Sequence, residues 1–499
     1  MNTQKQKLTI IGGIILALFI TLNPGAGFGQ VIVSENDDNG LFSTRSGSTT
    51  TVRSSNGKTT IKFDKGSTDY KIEYEGEIKI SDDDKDITGI SRGGFFEISK
   101  SAFGNKRRIL IESTSNGLVK EYYEGRKNIP YEPAGREWLA EVLIDVLRST
   151  TLGAESRVKR FYSKGGTDAV LKELDYMSSD YVQTAYINIL MSYKLSSNDV
   201  VKVLSLAGDE IESDYYLTSI LKENQKLLLK DDQTRQAFIK ATKSINSDYY
   251  KTSILKDAVK NDDISDSELY SILESSEDIG SDYYLSSLLK EMLDSRDMGD
   301  ANLTKLLELS NSINSDHYKS RVLIEALESN NVPEVAFDKL VISIDKIESD
   351  HYVREILDEI LDKQLSDEKL KSVLQVVNKN INSDYYTREI LSDVIDEQNI
   401  KGESLFSVID LAGTINSDYY LKEVLGDLAD IRDFSDDQLI KILQACSKID
   451  SDYYLSSVLV EFAPAVNRAS SKVKDKYTEI AKTIKSETYF GKAIRAINK

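Results

Sequence analysis

The stretch that decides the fold is Ile245-Asn246-Ser247-Asp248-Tyr249-Tyr250, a phrase of the form Ile-x-Ser-Asp-Tyr-Tyr that returns along the C-terminal two-thirds of the chain. Its aspartate, numbered zero within each repeat, stands at positions 180, 214, 248, 282, 316, 350, 384, 418 and 452, always 34 residues apart. A fixed period of this size is typical of a solenoid of stacked units. The sequence therefore predicts nine repeats over residues 177–465.

Each repeat contains two apolar stripes with helical spacing. The upstream stripe falls at −13, −10, −9, −6 and −3 and predicts a helix, called helix A, with the example Leu439, Ile442, Leu443, Cys446 and Ile449. The downstream stripe falls at +2, +6, +7, +10 and +11 and predicts helix B, with the example Tyr454, Val458, Leu459, Phe462 and Ala463. One helix pair cannot bury both stripes, so neighbouring pairs must stack.

Two polar residues mark the start of helix B. Serine occupies position −1 in every repeat from Ser179 to Ser451. Its hydroxyl is suited to accept hydrogen bonds from the free amides of the first helical turn. The aspartate that follows complements the positive end of the helix dipole.

Position +1 carries an aromatic side chain in every repeat, although helical geometry places it opposite the apolar stripe of helix B. One interpretation is a ladder in which each ring lies against the adjacent repeat and each hydroxyl bonds to an aspartate or to backbone. The other is an exposed surface for a protein, peptide, glycan or basic partner, because tyrosine gives contact area at low entropic cost. The candidate binding residues are Tyr215, Tyr249, Tyr283, His317, His351, Tyr385, Tyr419 and Tyr453.

We predict no metal site and no cofactor. The two histidines lie one repeat apart, about 9–10 Å for packed helices, whereas zinc binds its ligands at about 2 Å. One aspartate per repeat falls short of the six to eight oxygens that calcium takes. Cys446, the only cysteine, fills a small-residue packing slot of helix A.

The N-terminus reads as an export signal over residues 1–29, with Lys5 and Lys7 before an apolar run from Leu8 to Leu22. We expect an exported protein of the periplasm, cell surface or medium, with no integral membrane segment once the signal is cleaved; an uncleaved anchor is the alternative. The net charge of −19 argues against a nucleic-acid partner, because such proteins need a basic surface.

Residues 30–128 predict a small β domain of short antiparallel strands, with Asn56-Gly57 and Asn116-Gly117 as hairpin turns. Two patterns that resemble catalytic motifs occur there, Gly89-Ile90-Ser91-Arg92-Gly93 and Ser55 to Lys58. Neither has the strand-to-helix or helical context that a nucleophile needs. Residues 129–176 then form a linker and capping helices, including an amphipathic helix from Glu137 to Leu147, and residues 466–499 form C-terminal capping helices.

The predicted fold class is α+β: a small antiparallel β domain followed by a right-handed-type α-solenoid of 34-residue helix pairs. The array resembles α-solenoid families, with the length of tetratricopeptide repeats but without their Trp…Leu-Gly…Tyr pattern, so HEAT-like is the better description.

A second resemblance rests on Trp138-Leu139, Gly165-Gly166-Thr167-Asp168 and Ser179-Asp180-Tyr181, after a β region with Gly93-Gly94-Phe95-Phe96. These residues are similar to the extracytoplasmic part of proteins related to BlaR1-type (M56) membrane metallopeptidases. Because the chain lacks their His-Glu-x-x-His motif, the resemblance implies a sensing or docking module and no proteolysis.

The function expected from the sequence is a non-enzymatic scaffold that binds a protein, peptide or glycan through an extended solenoid face. One alternative is a structural spacer that presents the β domain. Another is a sensor or docking module of an envelope signalling system. We predict no enzyme, because no base, metal site or phosphate-binding loop is evident.

Overall fold

A computed structural model describes residues 40–45, 48–55, 57–65, 67–329, 332–431 and 434–498. The chain divides into two compact units, Met1–Arg157 with Tyr176–Val182, and Val158–Asp175 with Gln183–Lys499. The predicted signal peptide lies outside the described residues. Within the described part of the chain, no helix has the length and apolar character needed to cross a bilayer.

In the residues that the structure describes, the first unit contains ten β-strands. Eight of them form one antiparallel sheet in the order β1-β2-β3-β4-β7-β8-β9-β10, and β5 pairs with β6. The strands are β1 Gly40–Arg45, β2 Ser48–Ser55, β3 Lys58–Lys65, β4 Thr68–Glu75, β5 Ile78–Ile80, β6 Ile87–Ile90, β7 Phe95–Ala102, β8 Asn105–Thr114, β9 Gly117–Glu124 and β10 Lys127–Ile129.

The strand register confirms both predicted hairpins, but the second turn is shifted by one residue. Ser55 pairs with Lys58 across the first turn. Thr114 pairs with Gly117, so the two turn residues of the second hairpin are Ser115 and Asn116 and not the predicted Asn116-Gly117. Gly117 has a φ of 108°, which explains the glycine at that position. Strands β1, β6 and β10 have no alternating apolar residues that would predict them from the sequence.

Helix α1, Arg136–Ser149, shares its core with the sheet of this unit. Trp138 is buried and its ring lies 5.7 Å from that of Tyr122 on β9. The Tyr70 hydroxyl donates to Asp145 on the helix at 3.4 Å. The amphipathic helix predicted from Glu137 to Leu147 is therefore present, and its apolar stripe covers the β-sheet.

A buried ion pair joins the β5–β6 loop to the next helix, α2 Ala154–Leu174. Arg157 is completely buried and donates through Nε and Nη2 to the Asp84 carboxylate at 3.2 and 3.0 Å. Asp84 is itself 7% exposed, although the run Asp82-Asp83-Asp84 reads as a solvated loop. Gly165 and Gly166 break the helical backbone within α2, as the sequence predicts.

The second unit is largely an array of helix pairs. Helix α3, Asp180–Met191, carries the first repeated aspartate and precedes these pairs. The helices A are α4 Ser197–Glu210, α7 Asp232–Thr242, α9 Asp266–Ser275, α11 Asp300–Ser310, α13 Glu334–Ile344, α15 Asp367–Asn380, α17 Gly402–Ala412, α19 Asp436–Cys446 and α21 Ser471–Ala481. The helices B are α5 Asp214–Glu223, α8 Asp248–Val259, α10 Asp282–Ser295, α12 Asp316–Ser329, α14 Asp350–Leu361, α16 Asp384–Glu397, α18 Asp418–Ala429, α20 Asp452–Arg468 and α22 Glu487–Ile497. A short extra turn, α6 Gln225–Leu228, follows α5.

Each helix packs on its counterpart in the next repeat, so the helices A form one layer and the helices B another. The apolar positions predicted for helix A are buried in most repeats, and Cys446 packs among them without exposure. In α4 and α15 the buried stripe lies one residue earlier, so that Ser205 and Gln375 at −9 are exposed. In helix B the predicted stripe needs one correction. Position +2 is only half-buried, as at Tyr454, whereas position +3, as at Leu455, is in the core. The α+β architecture with a helical-repeat array is therefore established.

Two repeats place a lysine at the buried position +3, where four other repeats have leucine. The Lys251 ammonium is paired with Asp278 at 2.6 Å. Lys319 is 3% exposed, and the residue that stands 27 positions after it, as Asp278 does after Lys251, is Lys346. Lys319 therefore lacks the acidic partner that Lys251 has. Burial, reinforced by the charge of Lys346, lowers the pKa of Lys319.

Candidate binding surface of the repeat array

The aspartate at position zero ties its repeat to the next one. Asp282, the first residue of α10, accepts hydrogen bonds from the backbone N–H groups of Asn314 at 3.0 Å and Ser315 at 2.8 Å. Seven other aspartates accept equivalent bonds from the turn before the following helix B: Asp214, Asp248, Asp316, Asp350, Asp384, Asp418 and Asp452. These carboxylates are therefore engaged within the array, a use that goes beyond the predicted complement to the helix dipole.

The serine at position −1 is the N-cap residue of helix B, as predicted, but its hydroxyl bonds to the helix only in some repeats. In Ser383, Ser417 and Ser451 the hydroxyl accepts from the amide of the third helical residue at 3.5 Å. Ser247 and Ser281 make no such bond. The predicted cap is thus weak, and the aspartates supply the stronger polar contacts at these turns.

The aromatic side chains at +1 form a zigzag with those at +2. The ring of Tyr283 meets that of Tyr284 in its own repeat at 5.2 Å and that of Tyr318 in the next repeat at 6.0 Å. Both contacts are edge-to-face, a favourable geometry for aromatic pairs. Four other +1 tyrosines make the same two contacts: Tyr215, Tyr249, Tyr385 and Tyr419. The ring of Tyr453 contacts the ring of Tyr489 on α22. The rings therefore do lie against the adjacent repeat.

The same rings are also accessible to solvent. Tyr249, Tyr283, Tyr385, Tyr419 and Tyr453 are between 47% and 57% exposed. In the part of the chain that the structure describes, none of these five hydroxyls bonds to an aspartate or to backbone, so that detail of the ladder interpretation is wrong. The column thus has one side held by its neighbours and one side open.

The two histidines occupy adjacent rungs of the column. The ring of His317 lies 5.8 Å from that of Tyr352, and the ring of His351 lies 5.1 Å from it. Nε2 of His351 is also 3.6 Å from the Glu355 carboxylate. Among the described residues, no group of three or more histidine, cysteine or acidic side chains is placed to hold a metal ion.

Two rows of carboxylates run along helices B. Position +9 is acidic in eight successive repeats, at Glu223, Asp257, Glu291, Glu325, Glu359, Asp393, Asp427 and Glu461. Position +12 is acidic in five, at Asp294, Glu328, Asp362, Asp396 and Asp430. These side chains are half-buried or exposed. Sequence reasoning missed both rows, although counting from the repeated aspartate would have found them.

Position +12 of one repeat faces position +9 of the next, as the 3.3 Å ion pair between Lys260 and Glu291 shows. Where both positions are acidic, two carboxylates meet. Burial, followed by the hydrogen bond and charge of Glu325, raises the pKa of Asp294. Burial and the charge of Glu328 likewise raise the pKa of Glu359. Four acids of the +9 row, Asp257, Glu291, Glu325 and Asp393, already pair with a lysine or arginine. The negative charge that the array leaves uncompensated is therefore the remaining part of the two rows, where acids meet acids.

Neither pattern that resembles a catalytic motif has catalytic geometry. Ser55 and Lys58 are paired across a β-hairpin. Ser91 follows β6 in a turn, and its hydroxyl accepts a hydrogen bond from the backbone amide of Glu77 at 3.0 Å. A strand-to-helix turn, which a nucleophile elbow requires, is not formed at Ser91.

Two surface grooves lie in the array. One, of 280 Å³, lies between α4 and α7 and is lined by residues that include Leu204, Gly208, Ala237 and Lys240. The other, of 330 Å³, includes Phe434 and Arg468. Both are open and shallow, and neither coincides with the aromatic column.

No family model matches the chain, and no curated protein matches it. Among solved structures, the chain is similar to a "Circular tandem repeat protein with novel repeat topology and enhanced subunit contact surfaces", with 11% identity over 73% of this chain and 78% of that chain and a TM-score of 0.16. It is also similar to a chain from "Computational Design of Self-Assembling Cyclic Protein Homooligomers", with 12% identity over 64% of this chain and 93% of that chain and a TM-score of 0.10. TM-scores this low say nothing about what the present chain binds.

Proposed function

We propose that this protein is a non-enzymatic scaffold whose aromatic column binds a polypeptide with basic side chains. The observation that carries the proposal is the set of five tyrosine rings, about half exposed, that occupy the same position of helix B in five repeats. Glycan binding and a purely structural role for the column are the alternatives.

The column is organised before any partner arrives. Five +1 rings are held by edge-to-face contacts on two sides, as Tyr419 is by Tyr420 at 5.3 Å and by Tyr454 at 6.2 Å. The other four are Tyr215, Tyr249, Tyr283 and Tyr385. A partner would therefore lose little free energy in ordering these side chains. Tyrosine offers a large amphipathic surface with only two side-chain torsions, which is why binding surfaces favour it.

The charge of the neighbouring surface favours a cationic polypeptide over a neutral glycan. The net charge of −19 belongs almost entirely to the array. The aspartates at position zero are engaged by backbone amides, so the available negative charge comes from the rows at +9 and +12. Paired acids such as Asp294 and Glu325 gain most from a nearby cation, because it relieves their mutual repulsion.

A photo-crosslinking amino acid placed at Tyr283 or Tyr419 tests the proposal in the full chain. We expect crosslinks to a basic polypeptide from an extract of exported proteins, weakening with added salt. Tyr270 on α9, an exposed tyrosine of the helix A layer, is the matched control position. Equal crosslinking from Tyr270, or capture of a glycan without polypeptide, would contradict the proposed surface.

A second candidate function is a spacer that presents the first unit, which would make the specific contact. It is favoured by Phe103, a phenylalanine of that unit that is 88% exposed. The resemblance to BlaR1-related proteins would make this a sensor or docking module of an envelope system. Triple substitution of Tyr283, Tyr385 and Tyr419 by serine separates the two functions: it abolishes binding through the column and leaves binding through the first unit intact.

A further inference from the structure

One end of the large sheet collects four of its turns. Neighbouring strands run antiparallel, so the connections β1–β2, β3–β4, β7–β8 and β9–β10 all lie at the same end. At that end, the register pairs the last residue of one strand with the first residue of the next strand. The pairs are Arg45 with Ser48, Lys65 with Thr68, Ala102 with Asn105, and Glu124 with Lys127. We call this the turn end of the sheet.

Phe103 stands at the tip of the β7–β8 turn in an unfavourable setting. Its side chain is 88% exposed, and its φ of 47° lies in the left-handed region that bulky residues rarely adopt. Gly104 follows with a φ of 79°, so both central residues have positive φ, which in a two-residue hairpin turn normally selects Asn-Gly. The chain thus places a large apolar ring in water at a position where asparagine would fit better, which points to a role outside the fold.

Exposed basic side chains surround this ring. Lys106 and Arg107 follow it on β8, and Arg126 and Lys127 lie at the adjacent turn, where the Gly125 amide donates to the carbonyl of Lys106 at 2.8 Å. Arg107 faces Glu124 at 3.7 Å. Among the described residues, Lys106, Arg126 and Lys127 have no ion-pair partner. The turn end therefore combines a protruding apolar ring with unpaired positive charge.

We propose that the turn end binds the surface of an anionic lipid bilayer, with Phe103 inserted at the interface and the basic side chains on the headgroups. A bilayer accepts a single protruding ring, whereas a protein partner would need a pocket shaped for it. Each basic side chain near an anionic surface strengthens binding about fivefold. At physiological salt, charges more than about 8 Å apart are largely screened, so the attraction depends on the basic side chains that lie at the turn end itself.

Sedimentation of the full chain with phosphatidylglycerol-containing vesicles in about 0.15 M salt tests the proposal, with phosphatidylcholine vesicles for comparison. Phe103→Asn keeps the turn, because asparagine tolerates positive φ, and we expect it to weaken binding at least about tenfold. Replacing Lys106, Arg126 and Lys127 together by glutamine should weaken binding about a hundredfold. Val119→Thr, which removes another exposed apolar side chain of the same sheet, should bind as the native chain does.

Three results would overturn the proposal. The first is a native chain that fails to sediment with anionic vesicles, and the second is equal binding to phosphatidylcholine. The third is unchanged binding by Phe103→Asn, with circular dichroism showing that the variant is folded. If light scattering instead shows that Phe103 mediates self-association while vesicles bind nothing, the turn end is a protein interface and the bilayer proposal fails.

Discussion

Replacing Asp282 by alanine removes the acceptor for both hydrogen bonds that join its repeat to the next. The amide of Ser315 is partly buried and loses a charge-assisted bond worth about 1.5–3 kcal/mol. The amide of Asn314 is exposed, so water replaces the carboxylate there at a cost of about 0.5 kcal/mol. We therefore expect Asp282→Ala to lower the free energy of unfolding by about 2–3.5 kcal/mol.

Two further variants check the reasoning. Asp282→Asn keeps one neutral acceptor and should lose about 1 kcal/mol. Asp263→Ala is the matched control, because Asp263 is an exposed loop acid whose side chain makes no contact among the described residues. It removes the same charge and should change stability by less than about 0.5 kcal/mol.

Urea unfolding followed by circular dichroism at the helical band gives the overall loss of stability. Because a repeat array can unfold in blocks, hydrogen exchange of the peptide that contains Asn314 and Ser315 supplies the local measurement. We expect faster exchange there than in the turn before α18. If Asp282→Ala is no worse than Asp263→Ala, or if exchange at Ser315 is unchanged, the aspartates do not hold the repeats together.

Three other predictions concern groups with shifted pKa values. Asp294→Asn should raise stability at pH 7 by about 0.5 kcal/mol after allowance for solvent screening. Since the folded-state pKa of Asp294 is raised, this advantage should shrink in urea titrations as the pH falls through that pKa. Lys319→Leu should stabilise the chain by about 1 kcal/mol, and by most at low pH, because the pKa of Lys319 is lowered. Lys251→Leu breaks an ion pair and should therefore gain less stability. A loss of stability in Lys319→Leu would contradict the argument. Burial raises the pKa of Cys446 to about 12, so iodoacetamide should alkylate this thiol at pH 8 only in urea; fast alkylation of the folded chain would show that it is accessible.

The period, the helix pairs and the two apolar stripes could be predicted because they depend on spacing within one repeat. The bonds from Asp282 to Asn314 and Ser315 could not, since they depend on how successive repeats stack. The same limit explains the error at position +2: Tyr454 is half-covered by its neighbours, and Leu455 takes the core position. The burial of Asp84 does not follow from the local sequence for a related reason, because its partner Arg157 lies 73 residues further along the chain.

The repeated aromatic position predicted that the +1 side chains form a column, but it did not decide between a structural and a binding role for that column. Repetition of an aromatic side chain at +1 predicted a ladder or an exposed stripe, and Tyr283 belongs to both at once. The identity of a partner does not follow from the repeat. The assignment of Tyr215, Tyr249, Tyr283, His317, His351, Tyr385, Tyr419 and Tyr453 as binding residues stays a prediction.

Because the carboxylate of each repeated aspartate bonds to the turn of the next repeat, whole repeats can be removed or added without breaking this joint. A cut just before Asp282 and another just before Asp316 remove one whole period and rejoin Ser281 to Asp316, which restores the Ser-Asp sequence. Asp248 still finds the amide of Ser281, and Asp316 still finds that of Ser349. Loss or duplication of a unit therefore keeps the aspartate joint between the repeats that become neighbours, and each such event adds or removes one rung of aromatic surface.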